Sequence, residues 1–89
     1  MICKHVLVSG LVQGVGYRAW TRQEARLRQL TGWVRNCEDG RVEALLQGEA
    51  DTVSDMLEAM QQGPAMARVD GIVTNDDDSP AYCDFEVTP

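Results

Sequence analysis

The chain has one histidine and three cysteines among its 89 residues, and no two cysteines form a CxxC pair. That spacing excludes the common zinc-ligand and dithiol motifs. No Gly-Lys-Ser/Thr follows its glycine-rich stretch, so the nucleotide P-loop is excluded. No apolar run approaches membrane-spanning length. The start, Met1-Ile2-Cys3-Lys4-His5, lacks the apolar stretch of a secretory signal. Positive charge is scarce too: Lys+Arg 8 stand against Asp+Glu 14, for a net charge of −6. Nonspecific nucleic-acid binding needs a basic surface. The absences predict a monomeric cytoplasmic protein with reduced thiols at Cys3, Cys37 and Cys83, no cofactor, no metal, no membrane and no nucleic-acid partner.

A short, glycine-punctuated stretch is what the chain does have. Gly10-Leu11-Val12-Gln13-Gly14-Val15-Gly16-Tyr17-Arg18 follows an apolar run and ends in arginine where a helical pattern begins. Glycine permits backbone angles that gather N–H groups on one concave side. A helix start adds unpaired donors and a positive dipole end. An arginine fork matches phosphate geometry. Together they predict a small anion cradle. A simpler alternative is a strand-to-helix turn that needs glycine for shape. A third reading is the dinucleotide fingerprint, since Gly14-Val15-Gly16-Tyr17-Arg18-Ala19 fits G-x-G-x-x-G/A and Glu38 lies about twenty residues on.

The coarse pattern weighs against the dinucleotide reading. Cys3 to Ser9 reads as a strand, and Arg18 to Gln29 as a helix with Trp20, Leu27 and Leu30 on one face. Gly32 to Asn36 and Arg41 to Gln47 read as strands joined by an Asp39-Gly40 hairpin. Thr52 and Asp55 resemble a capping box before a Val53, Met56, Leu57, Met60 stripe, and Gly63-Pro64 ends that helix. Ala67 to Thr74 is a fourth strand, Asn75 to Pro80 a solvated acidic loop, and Tyr82 to Val87 a short last strand. A doubly wound fold would need a crossover helix where the hairpin stands. The order β-α-β-β-α-β predicts one ferredoxin-like α/β sandwich over 1–89, with an antiparallel sheet, both helices on one face and a short extra edge strand. Trp20 and Trp33 are expected in the core, and His5 in a structural role.

These residues resemble a known family. Gly10-x-Val12-Gln13-Gly14-Val15-Gly16-Tyr17-Arg18 is similar to the first signature of the acylphosphatases, and Gly32-Trp33-Val34-Arg35-Asn36 to the second. Asp39-Gly40, Val42-Glu43 and Gly48-Glu49 fit downstream, so the likeness covers essentially the whole chain. The resemblance implies the same sandwich and hydrolysis of the carboxyl-phosphate bond, giving a carboxylate and inorganic phosphate without a metal. It implies that the amides of Leu11, Val12, Gln13, Gly14, Val15, Gly16 and Tyr17, with Arg18, hold the phosphate. It implies that Asn36 positions the attacking water. Phosphate or sulfate would then bind as a product-like ligand. Such domains also occur inside larger maturation enzymes; an end at Pro89 favours a free-standing protein. The alternative is a non-catalytic phosphate- or protein-binding module on the same fold.

Three positions depart from the family pattern. Leu11 stands where a polar or basic residue is frequent. Glycine is missing near the end of the first helix, which predicts a left-handed Gln29 at a cost of about 1 kcal/mol. Cys37 stands where a hydroxyl residue is frequent, beside Asn36.

Overall fold

A computed structural model describes all residues, 1–89. The elements are β1 (Ile2–Leu11), α1 (Tyr17–Leu27), β2 (Thr31–Asn36), β3 (Val42–Gly48), α2 (Ala50–Gln62), β4 (Arg68–Asp76) and β5 (Phe85–Val87). They form one five-stranded sheet in the order β4-β1-β3-β2-β5. The predicted sandwich is present.

Strand alternation decides which residues meet the helices. Val6 and Val8 of β1, Val34 of β2, and Val42, Ala44 and Leu46 of β3 are all buried. They share one core with Tyr17 and Ala25 of α1 and Val53, Met56 and Met60 of α2. Both helices therefore cover the same face. The second face carries His5, Trp33, Arg35, Glu43 and Leu45, and the segment after β4 lies partly across it. There Gln47 donates to the Pro80 carbonyl at 2.9 Å and accepts from the Tyr82 N–H at 2.8 Å.

The structure corrects four sequence expectations. The buried row of α1 is Tyr17, Thr21 and Ala25, and Leu27 is 71% exposed. Residues four apart stay on one line, whereas Leu27 lies about 200° around from Ala25. The second helix starts at Ala50 with Glu49 as its N-cap and no side-chain cap bond, so Thr52 sits inside the first turn rather than capping it. Trp33 is not in the core but half-buried on the helix-free face, because the buried Val34 takes the inward position. The sheet is mixed rather than wholly antiparallel, since β5 pairs in parallel with β2. β4 ends where β1 begins, with Lys4 opposite Asp76. A strand starting from that end must run the same way as β2. Arg26 of α1 holds it there, bonding the Phe85 carbonyl at 3.2 Å and the Asp84 carboxylate at 2.8 Å.

β1 and β2 are both antiparallel to β3 and so parallel to each other. Val8 and Asn36 both lie opposite Val42, in one row across three strands. The loop after β1 and the end of β2 therefore share one edge of the sheet.

Candidate active site

At that edge, β1 runs to Leu11, which still pairs opposite Arg68 of β4. Val12 then drops its side chain into the core, 1% exposed. Gln13 to Gly16 form the bend. Gly14 and Gly16 have φ of 75° and 79°, angles that a Cβ would strain. Gly16 is the N-cap of α1, and no side chain caps the helix. Tyr17 anchors the helix start: its buried hydroxyl donates to the Met60 carbonyl of α2 at 2.8 Å. Burial raises the Tyr17 phenol well above its ordinary range, so it stays neutral.

The backbone N–H groups from Val12 through Ala19 donate to no acceptor in the protein. A helix start leaves its first donors unpaired, but here the unpaired run reaches back through the whole bend. Arg18 is half-buried at this point. Lys4, Arg26, Arg28, Arg35, Arg41 and Arg68 each have a carboxylate within salt-bridge distance; Arg18 and Arg22 have none. Gly14, Gly16, Tyr17, Arg18, Ala19 and Val87 line a cavity of about 210 Å³. Residues with unpaired N–H groups and a guanidinium without a carboxylate partner thus border a space with room for a phosphoryl group.

Asn36 is the last residue of β2, on the same side of the sheet as buried Val34. Its Oδ1 is buried and has no hydrogen-bond donor in the protein. Such an atom costs about 1–3 kcal/mol when left without a partner. Asn36 does not line the 210 Å³ cavity itself, but Val87, which does, pairs with Val34 two residues before it. The turn after Asn36 has the predicted Asp39-Gly40 geometry: Cys37 N donates to the Arg41 carbonyl at 2.8 Å, and Gly40 has φ 94°. Burial raises the Cys37 thiol above its ordinary range, with the Glu43 and Asp39 carboxylates adding to the shift. A thiol held protonated is a poor nucleophile.

Val87 and the side-chain role of Gln13, whose backbone amide alone was expected in the site, escaped the sequence reading. Val87 forms one wall of the cavity, and nothing in its sequence context signals this. Gln13 extends its side chain away from the bend toward the Asn36–Arg41 turn. Elsewhere, no three His, Cys, Asp or Glu side chains converge in a metal-ligand arrangement. His5 serves structure, as expected, pairing with Glu43 at 2.5 Å on the helix-free face. A larger groove of about 670 Å³ lies on that face beside Trp33 and Tyr82.

A family model described as Acylphosphatase matches residues 4–87. An acylphosphatase of Alcanivorax borkumensis is 71% identical over 99% of this chain and 100% of its own length. Among solved structures, the acylphosphatase of Bacillus subtilis superposes with a TM-score of 0.96 at 34% identity, covering 100% of both chains. That of Coxiella burnetii gives 0.94 at 40% identity, covering 98% of this chain and 92% of its own.

Proposed function

The chain belongs to the acylphosphatase family, and on that premise we propose that the Val12–Ala19 amides and Arg18 hold the phosphoryl group while Asn36 orients the attacking water; Leu11, still paired with β4, drops out of the expected set of amides, and those of Arg18 and Ala19 join it. The reaction is hydrolysis of an acyl phosphate to a carboxylate and inorganic phosphate. Its leaving group has a conjugate acid near pKa 4, like a free Asp or Glu side chain, so no general acid is needed. Positioning and charge stabilisation remain.

The guanidinium of Arg18 donates to two phosphoryl oxygens and offsets charge as the bond to the leaving carboxylate lengthens. The fixed amides do the same with no reorganisation. Asn36 is not a base near neutral pH, but its Oδ1 accepts one hydrogen bond from water and aims the water oxygen at phosphorus. The water oxygen bonds to phosphorus, the P–O bond to the acyl group breaks, and the carboxylate departs with the electron pair. The water proton passes to a phosphoryl oxygen. The observation that carries this reading is the coincidence of unpaired donors, an unpaired arginine and a buried, unpaired Asn36 Oδ1 at one sheet edge.

The test is phosphate release from acetyl phosphate by the wild type, Arg18→Ala and Asn36→Ala, with and without a chelator. The reading requires chelator-resistant turnover that both variants lose. Full turnover in Asn36→Ala would remove the water-orienting role. We also infer one acylphosphatase-like domain over 1–89, monomeric and cytoplasmic, with no nucleic-acid partner. The net charge of −6 supports the last point. No helix is long and apolar enough to cross a membrane.

A further inference from the structure

We infer that Gln13 is a positioning residue: its side-chain amide locks the turn that carries Asn36 to the loop that cradles phosphate. The inference rests on the roles proposed above for that loop and for Asn36.

Gln13 Nε2 donates to the Cys37 carbonyl at 2.8 Å and to the Arg41 carbonyl at 2.9 Å. These carbonyls are the two that close the turn, accepting from Gly40 N at 3.3 Å and from Cys37 N at 2.8 Å. One NH2 group therefore spends both of its hydrogens on the two ends of a single turn. No other hydrogen bond joins the Val12–Arg18 segment to residues 36–41. Without Gln13, the loop would be placed by β1 and α1, and the turn by β2 and β3. The separation between the phosphoryl group and Asn36 would then depend on β1 and β2, two positions apart in the sheet with β3 between them. Hydrolysis needs that separation held within a fraction of an ångström. The Gln13 backbone stays in the bend with its N–H free for the phosphoryl group. Its side chain serves the second component of the site.

The test is a cycle on acetyl phosphate turnover: wild type, Gln13→Met, Asn36→Ala and the double variant. Methionine keeps the length and removes both donors. Gln13→Met should lower kcat roughly 10- to 100-fold, as expected of a misplaced nucleophile. Inhibition by inorganic phosphate and KM should stay within about twofold, and adding Gln13→Met to Asn36→Ala should change kcat by no more than about twofold. Gln13→Asn, with the same amide on a shorter arm, should show the same pattern and serves if the Met variant melts early. Equal kcat losses with and without Asn36, phosphate inhibition weakened in step with kcat, or unchanged kcat would each overturn the positioning role. Asn36→Ala with full turnover would instead sink the underlying reading, so the two failures are distinguishable.

Discussion

The helix-free face and the sheet edge where β1 and β2 end treat charge in opposite ways. On the helix-free face, Glu43 is held by His5 and by Arg35, each at 2.5 Å, and the Arg35 guanidinium lies 5.6 Å from the Trp33 ring centroid. His5, Arg35 and Glu43 thus each have a partner. At the edge where β1 and β2 end, Arg18 has none, a run of amides has none, and Asn36 Oδ1 has none. Polar groups that satisfy one another hold a fold; groups kept apart from all partners are available to a substrate. The larger groove is on the paired face and the smaller one at the unpaired edge. Size alone would therefore point to the wrong face.

Substitutions at the edge and on the paired face would break that contrast if it is wrong. Arg18→Ala should have the largest effect, lowering kcat/KM by roughly 10³-fold or more and weakening inhibition by phosphate, as loss of a transition-state arginine does. Steady-state kinetics with acetyl phosphate measures both. Asn36→Ala should lower kcat by roughly 10²–10³-fold with KM nearly unchanged. On the paired face, Glu43→Gln should leave kcat/KM unaltered and cost about 1 kcal/mol or less at pH 7, read by urea unfolding. Burial by itself would raise the Glu43 carboxyl; hydrogen bonds from His5 and Arg35 more than offset it, and the carboxyl sits below its ordinary value. Its contribution is therefore present above the unfolded carboxyl range near pH 4 and lost as pH falls through the lower folded value. Acid unfolding of Glu43→Gln should flatten across that window relative to the wild type. The smallest effect belongs to Gln29, the one non-glycine residue with positive φ, at 59°. Gln29→Gly should stabilise the chain by about 0.5–1 kcal/mol in thermal melts, with activity unchanged.

Glycine spacing made the bend legible in the chain itself, and the absence of a helix-end glycine anticipated the left-handed Gln29. Strand and helix order followed from alternation and turn residues. Arg18 stood out by chemistry, as a guanidinium at a glycine-rich helix start; Asn36 stood out only through the second signature, and by chemistry alone it reads as a turn residue. What stayed hidden is non-local. Gln13 bonds carbonyls 24 and 28 positions away. Val87 reaches the cavity only because β5 pairs with β2, and no local pattern states that pairing. Trp33 looked like core because it is large and apolar, but strand parity put it outside. The same parity sends Asn36 to the helix side, so neighbours in one short strand serve opposite faces.

Titration of ¹⁵N-labelled protein with inorganic phosphate tests the central claim most directly. Saturable shifts confined to the amides of residues 12–19 and the Arg18 side chain are expected, with the signals of Trp33, Arg35 and Glu43 still. Shifts centred on the Trp33 groove, or a silent loop at saturating phosphate, would contradict it.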